Sequence, residues 1–62
     1  MNLKIITNEE KNKIYDILFY AKKPFNNPKL NDEQRIEEVE IQATELMATC
    51  KLIRERWIKQ EG

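Results

Sequence analysis

The side chains with the clearest capacity for chemistry are carboxylates that cluster between residues 37 and 45, namely Glu37, Glu38, Glu40 and Glu45. Carboxylates on neighbouring helices can hold a di-iron centre, but such centres also use histidines from Glu-x-x-His motifs. The chain has no histidine. Paired acids that hydrolyse glycosides need a cleft for the sugar between them, which two short helices hardly provide. We interpret the cluster as an acidic, solvent-exposed helix surface.

The chain has one cysteine, Cys50. Lys51 and Arg54 could lower the pKa of its thiol, but a nucleophile would also need a histidine or a second cysteine nearby. An intrachain disulfide and a structural zinc site are excluded for the same reason. We interpret Cys50 as a small buried apolar residue. An unpaired cysteine suits a reducing compartment, so we expect a cytoplasmic protein.

Trp57 is the third candidate, because the bases Arg54, Arg56 and Lys59 surround it in the sequence. A ring that stacks on bases, with cations on the phosphates, could bind nucleic acid. The same residues also fit an ordinary basic helix end or an anchor on a partner protein, since Trp and Arg often carry interface energy. The sequence predicts no catalytic residue, cofactor, metal ligand or small-molecule substrate.

Size and charge favour association. A chain of 62 residues buries only roughly 60% of its unfolded surface, and chains below about 70–80 residues usually need a disulfide, a metal or oligomerisation. The first two are excluded, so self-association or a partner is the expected stabiliser, and an unusually well-packed monomer is the alternative. Eleven bases balance eleven acids, which predicts neither a nucleic-acid nor a membrane partner. The start, "MNLKII", is too short for a signal peptide or a membrane span.

Start and stop signals predict a single all-α domain over residues 1–62. An apolar arm (1–6, with Leu3, Ile5 and Ile6) precedes "TNEE", a capping box that predicts a helix over 8–22. Pro24 ends this helix, and a loop over 23–30 follows, with Phe25 and Leu30 as its expected anchors. "NDEQ" is a second capping signal, and it predicts a helix over 32–60. Tyr15, Phe19 and Tyr20 are expected to pack in or near the core.

The long helix carries an apolar heptad pattern. Its members alternate by three and four residues, which predicts a seam against another helix: Ile36, Val39, Ala43, Leu46, Cys50, Ile53 and Trp57. Ile41, Ala48 and Leu52 lie on the opposite side, so neighbours are expected on two sides. The first helix should reach only to about Met47, with the arm adding a turn or two. The surface around Ile53, Trp57 and Ile58 should then require another chain.

The charges of the long helix favour an antiparallel partner. Residues 32–45 hold six acids and one base, and residues 51–59 hold four bases and one acid. Two antiparallel copies would set acidic halves against basic halves. We therefore expect a helical hairpin that dimerises into an antiparallel four-helix bundle. This plan is similar in architecture, though in no motif, to regulators of the Rop type from plasmids and phages. The predicted protein interface comprises Leu46, Cys50, Ile53, Arg54, Arg56, Trp57 and Ile58.

These features predict a small non-enzymatic regulator that docks on a larger protein as an inhibitor, antagonist or adaptor. Chains of this kind are common in phages and mobile elements. The alternative is a small nucleic-acid-binding regulator that uses the basic C-terminal end of the long helix, and its binding should weaken steeply with salt. An enzyme or enzyme subunit is a third class, which turnover by the purified chain would reveal.

Overall fold

The computed structural model describes residues 4–61 and confirms an all-α helical hairpin. Helix α1 spans Asn8–Lys22, a 3₁₀ helix spans Lys23–Asn26, and helix α2 spans Asp32–Glu61. The described residues contain no strand. Residues 1–3 of the expected arm, including Leu3, and residue 62 lie outside the described part of the chain.

Both helices begin with the capping boxes that the sequence predicts. The Thr7 hydroxyl accepts from the Glu10 amide at 3.1 Å, and the Glu10 carboxylate accepts from the Thr7 amide at 2.8 Å. Asn31 and Gln34 form the equivalent pair of bonds at 2.8 and 2.9 Å. Each pair satisfies amides that have no partner within the helix. Helix boundaries of this kind depend on residues three apart, so the sequence alone reveals them.

The connection between the helices is held by one arginine. The Arg35 guanidinium donates to the carbonyl oxygens of Pro24 at 3.1 Å and Asn27 at 3.0 Å, and pairs with the Asp32 carboxylate at 2.7 Å. Pro24 is buried. Phe25, an expected anchor of this loop, is instead exposed, so that expectation was wrong. The turn is therefore held by hydrogen bonds from Arg35 to its main-chain carbonyls, and not by a buried aromatic side chain.

The hairpin is a single layer of two helices. Its principal extents are 50 × 18 × 11 Å, and the smallest is about the diameter of one helix with its side chains. The accessible surface is 5414 Å², whereas a compact folded protein of 7.5 kDa would expose about 4,200 Å². The buried apolar side chains among the described residues are Ile17 and Ile53. One layer cannot enclose a core, which leaves much apolar surface in water.

The two helices meet along a contact that we call the inner seam. Its α2 residues recur at steps of four and three, and they alternate polar with apolar side chains: Arg35, Val39, Gln42, Leu46, Thr49, Ile53 and Arg56. With Trp57, they are the residues of α2 with described side chains that are not exposed. The facing residues of the first helix and turn are Glu10, Ile14, Ile17, Ala21 and Pro24.

The predicted heptad seam is therefore divided. Its members Val39, Leu46 and Ile53 lie in the inner seam, whereas Ile36, Ala43 and Cys50 are exposed. The expectation that Cys50 is buried was wrong. The physical reason is that α1 packs over Arg35, Gln42, Thr49 and Arg56, whose polar ends find partners or reach the edge of the contact. An apolar pattern alone cannot reveal a seam whose alternate members are polar.

The reach of the first helix was also underestimated. Ile53 is only 5% exposed, so this chain covers it without another copy. Beyond Ile53, the carbonyl of Ile5 contacts Arg56 and Trp57, and the long side chain of Arg56 spans the gap to Glu10 at the start of α1. Side chains on a helix lean toward its N-terminus, which carries the Arg56 guanidinium back over α1. A count of helical residues omits this side-chain length.

Candidate protein-binding surface

A polar clasp closes the open end of the hairpin. The Arg56 guanidinium donates to both carboxylate oxygens of Glu10, at 3.0 and 2.7 Å, and to the Ile5 carbonyl oxygen at 2.6 Å. The Trp57 indole N–H donates to the same carbonyl at 3.0 Å. Glu10 thus caps α1 and anchors α2 with one carboxylate. The clasp comprises Ile5, Thr7, Glu10, Arg56 and Trp57.

The clasp lowers the pKa of the Glu10 carboxyl group. The hydrogen bond from the Arg56 side chain is the largest cause, and the bond from the Thr7 amide adds to it. Both interactions favour the ionised carboxylate. The Glu10 side chain is about one-fifth exposed, at 21%, so water screens the interaction in part. The clasp should therefore loosen when Glu10 is protonated.

The seven residues predicted as an interface fall into two groups. Leu46, Ile53, Arg56 and Trp57 face other parts of the same chain, where Ile53 is buried and the other three are half-buried. The others, Cys50, Arg54 and Ile58, are exposed. Arg56 and Trp57 already use their polar groups in the clasp.

A continuous exposed stripe runs beside the inner seam. Each of its members follows a seam residue by one position, which rotates it by about 100° around α2. We call this stripe and its neighbours on α1 the apolar face. The α2 members are the exposed residues Ile36, Glu40, Ala43, Met47, Cys50 and Arg54, and the half-buried Trp57 at the C-terminal end. Met47, at its centre, is 74% exposed, and Ile36 is 54% exposed.

Helix α1 contributes to the same face. The residues of α1 that follow its seam members by one position are Lys11, Tyr15, Leu18 and Lys22, and Phe25 follows Pro24 in the 3₁₀ helix; all five are exposed. The two helices run antiparallel, so the same one-residue rotation turns both sets of side chains to one side of the layer. These aromatic and aliphatic side chains extend the apolar face across the width of the hairpin.

The opposite side of the layer, which we call the acidic face, is mixed in character. From Glu38 onward, the residues that precede the inner seam by one position are acidic or apolar: Glu38, Ile41, Glu45, Ala48, Leu52 and Glu55. Ile41 and Leu52 are well exposed. Tyr20 of α1 and Lys23 of the 3₁₀ helix lie on this side and line an open depression with Glu38.

The aromatic residues of α1 do not form a core. Phe19 and Tyr20 pack edge to face at a centroid distance of 5.7 Å, and the Lys23 ammonium lies 4.9 and 4.6 Å from their ring centroids. Tyr15, Phe19 and Tyr20 all remain about half exposed or more. The expectation of core packing was wrong, because one neighbouring helix covers only one stripe of α1.

Sequence reasoning left several exposed apolar residues out of the predicted interface, notably Ile36, Ile41, Met47 and Leu52. A signal was present in the spacing. Four polar residues recur every seven positions in α2, each one position before a member of the predicted heptad seam: Arg35, Gln42, Thr49 and Arg56. Two heptad registers shifted by one residue therefore coexist in α2. Two adjacent registers indicate two neighbours about 100° apart around the helix.

Within residues 4–61, no group of three or more His, Cys, Asp or Glu side chains is placed to hold a metal ion. In that same range, neither helix combines the length and the apolar character that crossing a membrane requires. Comparison with models of protein families, with curated proteins and with solved structures finds no significant match.

Proposed function

We propose that this protein is a small non-enzymatic regulator that docks on a larger protein, as an inhibitor, antagonist or adaptor. The observation that carries the proposal is the exposure of apolar side chains on both broad faces of a layer one helix thick. Met47 and Leu18 represent one face, and Ile41 and Leu52 represent the other. Exposed apolar patches of this extent usually mark interaction sites.

The form of the surface also supports binding to a protein. A face about 50 Å long and 18 Å wide covers about 900 Å², and a stable complex buries about 800 Å² on each partner. The acidic face combines apolar and acidic residues, which suits a partner surface that pairs an apolar groove with basic side chains. The proposed target therefore presents a basic rim.

The nucleic-acid-binding alternative gains no support from the arrangement of its residues. The Arg56 guanidinium is bound by Glu10 and by the Ile5 carbonyl, and the indole N–H of Trp57 is bound by the same carbonyl. Arg54 and Lys59 remain exposed. Phosphate binding by Arg56 would have to compete with Glu10 for the guanidinium.

The test is reconstitution with a purified target. Proteins captured from the native host would be identified, purified and titrated against the wild type, Leu52→Glu, Met47→Glu and a control, Thr44→Glu. Thr44 lies on α2 away from both faces, so the control adds the same charge without touching either stripe. A defined complex that Leu52→Glu or Met47→Glu weakens at least about tenfold, equivalent to 1.4 kcal/mol, supports the proposal.

Two results would contradict it. One is that no purified candidate forms a complex of fixed stoichiometry. The other is that both face variants bind as tightly as the Thr44→Glu control while circular dichroism shows that all are equally helical. Turnover of a substrate by the purified chain would move the protein to another class of function.

A further inference from the structure

We propose that the apolar face binds a second copy of this chain in antiparallel orientation, with Met47 at the twofold axis. The result is a four-helix bundle. Within it, α2 contacts α1 of its own chain along the inner seam, and it contacts the second copy along the apolar stripe, which lies about 100° further around the helix. Neighbours in a four-helix bundle occupy adjacent corners of a square, so a rotation near 90° is what this architecture requires. The inference does not depend on docking to a larger protein.

Charge within the stripe determines the orientation. Glu40 and Arg54 are its charged members, and each lies seven residues from Met47, one before and one after. An antiparallel pair centred on Met47 sets Glu40 beside Arg54 of the second copy, twice by symmetry. A parallel pair would set Glu40 beside Glu40 and Arg54 beside Arg54. Like charges at such positions disfavour that arrangement.

The wider charge distribution of α2 agrees with this orientation. Residues 32–45 carry a net charge of −5, and residues 51–59 carry a net charge of +3. The antiparallel pair lays each acidic half along the basic half of the second copy. A larger protein as occupant would need its own matching gradient, whereas a second copy supplies it without further assumption.

The surface area also fits. The chain exposes 5414 Å², about 1,200 Å² more than a compact protein of its mass. A standard interface removes about 800 Å² from each partner, which accounts for most of this excess. The apolar stripe runs about 32 Å along α2 from Ile36 to Trp57, and it places Met47, its most exposed large apolar residue, at the centre of the contact.

A charge swap distinguishes a second copy from any other occupant. Sedimentation equilibrium would compare the wild type, Arg54→Glu, the double variant Glu40→Arg with Arg54→Glu, and the control Glu45→Arg on the acidic face. Arg54→Glu should weaken the dimer roughly tenfold, because two exposed pairs turn from attraction to repulsion. The double variant should restore the wild-type affinity, and the control should retain it. A complex with an unrelated protein would not recover its affinity in the double variant, because that protein would not carry the exchanged charges.

Several results would overturn the inference. One is a wild type that stays monomeric at 100 µM or more, which is about a hundredfold above a micromolar dissociation constant. The others are a dimer whose affinity Arg54→Glu leaves unchanged, and a double variant whose affinity does not return to that of the wild type. A monomer that still binds a purified target would reject the second copy and keep the proposed function. A wild type that dimerises but binds no purified target would support the second copy and reject the proposed function.

Disulfide trapping adds a measurement that does not depend on charge. Two cysteines can be bridged when their Cα atoms are within about 7 Å. In the antiparallel pair the Cα atoms of the two Cys50 residues are offset by about 9 Å along the axis, which already exceeds this limit. The Cα atoms of the two Met47 residues are level and face each other, and with helix axes 8–10 Å apart they lie about 3–5 Å from one another. Oxidised wild type should therefore stay uncrosslinked, whereas Met47→Cys in a Cys50→Ser background should crosslink. Crosslinking through Cys50 would indicate a parallel pair, and no crosslink in either protein would reject this face.

Discussion

Ile53 and Ile41 allow a matched test of the inner seam. Both are isoleucines within α2, but Ile53 is 5% exposed and Ile41 is 59% exposed. Substitution of each by alanine changes helix propensity by the same small amount. Any difference between the two variants therefore reports the packing of the side chain against α1 and the arm.

The expected magnitude follows from the burial. Ile53→Ala removes three buried carbon groups, at about 0.8 kcal/mol each, and the thin layer lets the site collapse, which favours the lower part of the 2–5 kcal/mol range for such changes. We expect a loss of about 2–3 kcal/mol in the free energy of unfolding. Ile41→Ala should change it by less than about 0.5 kcal/mol.

Circular dichroism would follow thermal unfolding of the wild type and both variants at one protein concentration, because association makes the midpoint depend on concentration. Each kcal/mol shifts the midpoint by about 4–8 °C in a domain of this size, so Ile53→Ala should melt roughly 10–20 °C lower. Equal shifts for the two variants would refute the assignment of Ile53 to the inner seam.

Three further predictions concern the caps and the clasp. Thr7→Ala removes the hydroxyl that caps α1 and should lower the free energy of unfolding by about 1 kcal/mol in urea titration; no change would show that the cap is dispensable. Because the folded pKa of Glu10 is lowered, its stabilising effect is full above the ordinary glutamate value of 4.5 and is lost as pH falls through the folded value. Glu10→Gln should therefore reduce the acid sensitivity of unfolding, and an unchanged pH profile would contradict this. Arg56→Gln should expose Trp57 and red-shift its fluorescence, whereas an unshifted emission maximum would show that the arm holds the indole alone.

The hairpin and its helix starts were predictable because their causes are local. Thr7 with Glu10 and Asn31 with Gln34 each form a pair three residues apart, and Pro24 restricts its immediate neighbour. None of these interactions depends on which surfaces of the helices meet. Both capping boxes are present in the structure with bonds of 2.8–3.1 Å.

The face of α2 that meets α1 was not predictable from apolar spacing. Two registers one residue apart share α2, and the inner seam uses the one whose alternate members are Arg35, Gln42, Thr49 and Arg56. Thr49 is buried in the seam, where its hydroxyl donates to the Glu45 carbonyl of its own helix at 3.0 Å. A polar side chain that satisfies itself locally can occupy a seam at little cost.

The clasp was not predictable because it joins residues 46 to 52 positions apart in the sequence. The sequence predicts Arg56 and Trp57 as part of an intermolecular interface, since nothing nearby in the sequence indicates their partners within the same chain. The carbonyl of Ile5, which accepts from both, carries no side-chain signal at all. The exposure of Arg54 and Cys50 was also evident only from the structure, because it depends on which side of α2 contacts α1.

The most direct test of the apolar face as an interface is an isotope-filtered NOE experiment on a mixture of ¹³C-labelled and unlabelled chains. The Met47 methyl group would be observed, since it is the centre of the proposed contact and is 74% exposed in the single chain. We predict intermolecular NOEs from this methyl to Ala43 and Met47 of the second copy. Intermolecular NOEs confined to Ile41 and Leu52, or none at all in a concentrated sample, would contradict it.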